Sequence, residues 1–217
     1  MKKMTALAAS ILVVIASGQA MASSSANLQV TGKLVPSACD IAVGDGGQSI
    51  AFGDIDVGKL NKDKPTELKD IAKKIAITVS CPEAAFTGIR FSDMNSTNKE
   101  AHAFSLGYKG GVELGSYKLV LDAKESNIDG KPAGAMLFRG KDGLFVQMSG
   151  AGEAVMANGS VNSTAGFDIS TTEQKRDKAK VKRFGMSVIP TINATSLIGN
   201  VQEAELTGVA TVDVIYL

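Results

Sequence analysis

The sequence predicts an all-β protein built as a β-sandwich, on three observations. Apolar and polar residues alternate with period two in several separate runs. Glycine-centred turn signals lie between those runs. The chain carries 23 Gly with no repeat period and only 5 Pro. Many short strands joined by such turns argue a sandwich.

The first 22 residues stand apart. Lys2 and Lys3 form a basic head, Leu7 to Ala16 is apolar or small, and Ala20-Met21-Ala22 offers the small residues a signal peptidase reads. The apolar run is shorter than the roughly 20 residues a spanning helix needs. The expectation is a signal peptide over residues 1–22 and a single mature domain over residues 23–217, exported and not integral to a membrane after cleavage.

Strands are expected along the rest of the chain. Leu28, Val30, Gly32 and Leu34 share one face, with Gln29, Thr31 and Lys33 between them. Lys62 to Lys74 reads as a charged loop, with a weak helical alternative at Pro65 to Lys74, leading into Ile75, Ile77, Val79 and Cys81 and a stop at Pro82. Tyr117, Leu119 and Leu121 alternate with Lys118, Val120 and Asp122. Gly150 to Gly166 reads as a long surface loop, and Val181 with Phe184 to Ile189 as a strand halted by Pro190. The clearest run is the last: Ala210, Val212, Val214 and Tyr216 alternate with Thr211, Asp213, Ile215 and Leu217. Turns are expected at Gly44 to Gly47, Gly110-Gly111, Asp129-Gly130, Asp142-Gly143 and Asn158-Gly159.

Charge and residue usage narrow the chemistry. A net charge of +1 gives no global field for nucleic acid or anionic lipid. Behind a signal peptide, the pair Cys39 and Cys81 reads as a disulfide. Closing a loop of that length stabilises a fold by about 4 kcal/mol in the chain-entropy model. One histidine, His102, lies in a polar stretch without a nucleophile signature, so no Ser-His-Asp or Cys-His site is expected. Nor is a metal site, since zinc needs three or four ligands. Asp54, Asp56, Asp93 and Asp122 read as solvated loop carboxylates rather than an acid–base pair. No catalysis and no cofactor are expected. The basic run Lys175 to Arg183 places Lys178, Lys180 and Lys182 on one strand face opposite Ala179 and Val181, as a solvated or edge-protecting face. The triplets at Asn95, Asn158, Asn162 and Asn193 read as turn formers.

Three features together resemble the subunits of chaperone–usher fimbriae. They are Leu28-x-Val30-x-Gly32-x-Leu34-Val35-x-x-x-Cys39, the second cysteine at Cys81, and the ending Val212-Asp213-Val214-Ile215-Tyr216-Leu217. The resemblance implies an incomplete immunoglobulin-like sandwich whose final strand comes from a periplasmic pilus chaperone and then from a neighbouring fimbrial subunit. It also implies passage through an outer-membrane usher to the cell surface, and a role in adhesion. Carried onto this sequence, Leu28, Val30, Gly32 and Leu34 are the donor-strand candidates. Ala210, Val212, Val214 and Tyr216 line the groove, and the carboxylate of Leu217 meets basic chaperone residues. Only Ser23 to Asn27 precede the donor-like run, which suits a terminal or adaptor subunit; the chain is also long after Cys81, an excess that reads as long loops or a binding surface. The alternative is a self-contained periplasmic or surface binding module, for carbohydrate if Tyr108 and Tyr117 supply stacking faces.

Overall fold

The computed structural model describes residues 38–44, 49–95, 100–139, 144–147, 153–159, 166–172, 175–199 and 204–216. The expected signal peptide, the donor-strand candidates Leu28, Val30, Gly32 and Leu34, and Leu217 lie outside the described residues.

In chain order the strands are β1 (Asp40–Val43), β2 (Thr66–Glu67), β3 (Lys73–Ala85), β4 (Thr87–Asp93), β5 (Phe104–Ser105), β6 (Tyr108–Lys109), β7 (Val112–Glu113), β8 (Gly115–Ile128), β9 (Lys131–Pro132), β10 (Ala135–Arg139), β11 (Phe145–Gln147), β12 (Glu153–Val155), β13 (Gly166–Ser170), β14 (Ala179–Ile192) and β15 (Ala210–Tyr216). Helix is confined to 3-10 turns at Val57–Lys59 and Lys69–Ile71 and one α-turn at Thr195–Ile198. The charged stretch before β3 is therefore a loop carrying the two-residue strand β2 and one 3-10 turn, with no α-helix at Pro65 to Lys74.

Two antiparallel sheets form the body. One runs β1-β3-β14-β8-β12, with β2 added to β14 and with β5 and β9 added to β8; the other runs β11-β10-β13-β4-β15. Both contribute to one apolar core. Ile77 and Val79 of β3, Phe184, Met186 and Val188 of β14, and Leu119 and Leu121 of β8 meet Ile89 and Phe91 of β4 and Phe167 and Ile169 of β13. Phe104 stacks on Tyr117 at 5.4 Å and meets Phe91 edge-on at 6.3 Å. The described residues lie in one compact unit, Pro36–Leu217.

Several boundaries differ from the sequence reading, each for a local reason. The strand that starts at Lys73 continues past Pro82 to Ala85. Its pairing with β14 jumps from Ser80↔Val181 to Ala85↔Ala179, so Pro82 falls in a bulged stretch where its missing N–H leaves no ladder bond unmade. Likewise β14 runs through Pro190 to Ile192. There the flanking strand β2 contributes only two residues, and the Pro190 carbonyl still accepts from Leu68 N at 2.9 Å.

The stretch from Gly150 to Gly166 is not simply a surface loop. It contains β12, paired with β8 through Ala154↔Leu121, followed by the fully buried Met156. Asn158 is not a turn residue at the surface either. It is buried, donates to Ala103 O at 3.1 Å, and its Oδ1 accepts from Asp93 N at 3.1 Å where β4 ends. The turn at Asp129-Gly130 is as expected: φ values of 48° and 78° close a two-residue hairpin between Ile128 and Lys131.

The disulfide Cys39–Cys81 is present and spans 42 residues. It anchors the start of β1 against β3. Cys39→Ser is expected to cost about 2–5 kcal/mol. Thermal unfolding of the oxidised wild type and the variant, both made in an oxidising compartment, checks this; equal midpoints would deny the bond a structural role.

Candidate functional site

Strand β15 is built from the clearest alternation in the sequence, and the fold gives it an unusual position. It pairs in full register with β4, from Ala210↔Asp93 to Tyr216↔Thr87, and forms the end of its sheet. Its other side carries no strand among the described residues. Ala210, Val212 and Val214 turn inward and pack on the core yet are only partly buried, while Tyr216 is exposed. The outward residues hold the strand down. Asp213 pairs with Arg90 at 3.0 Å. Ile215 lies over Gly88 and Gly166, where a Cβ would come within 3.4 Å and 2.6 Å of its side chain.

The first strand stands at the corresponding edge of the other sheet. β1 pairs only with β3, and its Ile41 and Val43 are also partly buried against the core. The Cys39 N–H donates to the Tyr216 hydroxyl at 2.6 Å, so the two edges adjoin there. Among the described residues no strand pairs with the outer side of β1 or β15, the two banks, and apolar side chains line the inward face of both as a strip. A chain in extended conformation could bond to either bank and cover the strip. Of the sequence-predicted groove residues, Ala210, Val212 and Val214 share one inward face and Tyr216 reaches the β1 side.

The basic run does not behave as a solvated face, and Lys182 corrects that reading. Its side chain is 1% exposed, and Nζ donates to Asp168 Oδ1 at 2.6 Å and to Thr87 O at 2.8 Å. The signal was in the parity: Lys182 lies in step with Phe184, Met186 and Val188, and β14 is a central strand rather than an edge. Asp168 gave no such signal, flanked by Phe167 and Ile169 in a strand whose five residues are all buried. Burial pushes its carboxyl up to about 6, against the charge and hydrogen bond of Lys182.

The remaining cations stay near the surface. Arg176 and Lys178 lie 5.0 Å and 5.3 Å from the Phe86 ring centre, and Lys180 is 3.8 Å from Glu83. Asp177 fixes this segment by accepting from Thr171 N at 2.7 Å, Thr171 Oγ1 at 2.8 Å and Ser170 Oγ at 3.1 Å. Burial alone raises its carboxyl, but those hydrogen bonds outweigh it and hold it below the usual range.

The other candidates are scattered. Asp56 accepts from Gly58 N and Asp122 from Lys124 N, both local backbone contacts, and Asp54 is exposed; Asp93 is not the solvated loop carboxylate expected but a buried residue at the end of β4, where it accepts from Asn95 N and from Ser105 N of β5. His102 is exposed in a turn. Tyr117 is buried beneath Phe104, which removes it as a stacking face for a sugar; Tyr108 is exposed on β6. Among the described residues no group of three or more His, Cys, Asp or Glu is placed to hold a metal ion, and no helix is long and apolar enough to cross a membrane.

A family model described as "Protein of unknown function (DUF1120)" matches residues 28–117. The matched stretch takes in the donor-like run, both cysteines and strands β1 to β7, and stops at Tyr117 in β8. No curated protein matches the chain.

Because the folded Asp177 carboxyl is depressed, its contribution to stability is present above the ordinary carboxylate range near pH 4 and lost as pH falls through the folded value. Asp177→Asn should therefore destabilise the protein at pH 7 by about 1 kcal/mol or less, given its partial exposure. The gap to wild type should close as pH falls below the ordinary carboxylate range. Urea titrations across that range measure it.

Proposed function

We propose that this chain is a structural or adaptor subunit of a bacterial chaperone–usher surface fimbria, exported to the periplasm and displayed at the cell surface for adhesion. The single observation that carries the reading is the edge position of β15, with Ala210, Val212 and Val214 directed at the core but incompletely covered. In an incomplete immunoglobulin-like sandwich a foreign strand lies between β15 and β1. It would bond to the main-chain groups on the side of β15 that no described strand occupies and finish burying Val212, Val214, Ile41 and Val43. A periplasmic chaperone supplies that strand first, and another subunit replaces it during passage through the usher.

The disulfide supports the reading by pinning one bank of the strip to β3. So does the placement of Tyr216 against the Cys39 backbone. Only Ser23 to Asn27 precede the donor-like run in the expected mature chain, a short arm that suits a terminal or adaptor position. Leu28, Val30, Gly32 and Leu34 remain the residues of this chain that would fill a neighbour's strip if the run is donated.

The test is periplasmic production of residues 23–217 alone, with thermal unfolding in the presence and absence of a peptide spanning Ala26 to Ser37. Poor recovery, or a midpoint raised several degrees by the peptide, is expected. Val214→Asp should remove the peptide effect, whereas Asp213→Ala, on the outer face, should keep it. A stable monomer indifferent to the peptide would instead identify a closed sandwich and a self-contained binding module.

A further inference from the structure

Lys182 and Asp168 form a contact that is buried, short and incompletely satisfied. Their side chains are 1% and 0% exposed. They join β14 of one sheet to β13 of the other. Nζ is fixed by two acceptors, Asp168 Oδ1 and the Thr87 carbonyl. Asp168 Oδ1 also accepts from its neighbour's backbone, Ile169 N, at 2.8 Å. Asp168 Oδ2 is buried and has no hydrogen-bond partner among the described residues. Held as separate ions, the two groups keep a large desolvation penalty that one contact does not fully offset.

We propose that Lys182 and Asp168 condense into an intramolecular isopeptide bond, Nζ to Cγ, which ties β14 covalently to β13. Transfer of a proton within the pair gives a neutral amine and a neutral carboxylic acid. Burial raises the Asp168 carboxyl to about 6, which lowers the cost of reaching that form. The amine lone pair adds to Cγ, forming the N–C bond, and the carbonyl electrons move onto Oδ1. The Ile169 N–H already points at that oxygen, as a donor to the developing charge. The Cγ–Oδ2 bond then breaks. Oδ2 leaves as water, taking two of the three Nζ protons, and the third remains on the amide.

No oxidant or co-reactant is required. The anchored amine supplies the proximity that a bimolecular condensation lacks, an effective molarity of roughly 10⁵–10⁸ M in well-oriented systems. The roles divide cleanly between the two oxygens: the one held by backbone stays, and the unheld one departs. The product keeps the Thr87 carbonyl as acceptor for its N–H and Ile169 N–H as donor to its oxygen. Two buried charges and an orphaned oxygen disappear together. The bond needs nothing from the assembly reading, since neither residue lies on β15 or β1.

Intact-mass measurement of the purified, oxidised wild-type protein tests it, with tryptic mapping of the same sample. The expected mass is one water below that of the disulfide-bonded sequence, with no cleavage after Lys182 and a branched peptide containing both Lys182 and Asp168. Lys182→Arg should show the full mass. Asp168→Asn should lose one ammonia instead of one water. A wild-type protein of full mass that trypsin cleaves after Lys182 would overturn the proposal, and this reading depends on no variant folding correctly.

Discussion

The structure depends on the double ladder of β14. This strand pairs with β3 from Ala179 to Val188 and with β8 from Lys182 to Ile192, so it sets the register of both neighbours. A one-residue slip would turn Phe184, Met186 and Val188 out of the core and Arg183, Ser187 and Ile189 into it. That cost fixes the face of every inward residue on β14, Lys182 included. The ammonium is carried into the interior by the same alternation that buries its apolar companions, and β13 meets it with a carboxylate.

Polar groups inside the sandwich are handled in two ways. Around Asp93 and Asn158 the bonds are completed: Asp93 takes two backbone donors, and Asn158 ties Asp93 and Ala103 together where β4 runs out. That network replaces ladder bonds lost at a strand end, which is why an Asn in a Gly- and Ser-rich segment is fully buried. Around Asp168 the bonds are not completed. Asp168 Oδ2 and Thr87 Oγ1 are both buried without partners among the described residues. An interior of low polarity makes such groups expensive, and the proposed bond between Lys182 and Asp168 would remove one of them.

The edges show a third constraint. A sandwich must end its sheets somewhere, and ordinary solutions protect the last strand with charge or cover. Here the inward face of β15 is apolar, and the ion pair of Arg90 with Asp213 lies on the outer side. The neighbouring edge, β1, is four residues long and is pinned by a disulfide rather than by a second ladder. The disulfide and the tyrosine contact both act at Cys39 and hold the two banks together at that end, while the strip between them stays unfilled by any described strand.

The sequence by itself determined the all-β class, the disulfide partners, the hairpin at Asp129-Gly130 and the inward face of β15. Each is a local property: a period of two, a cysteine pair, a turn dipeptide. Prolines were misleading as strand ends, because their effect depends on whether a neighbouring strand needs the missing N–H. Only the tertiary structure decided that Pro82 falls in a bulge and that Pro190 faces a two-residue partner. Parity alone would have turned Lys182 inward, yet the identity of its partner was invisible, since Asp168 meets it across two sheets with no periodic mark in the chain. Edge or centre is likewise a property of sheet order. Alternation gives a strand its faces, but non-local hydrogen bonding decides which strand is left with one side unpaired.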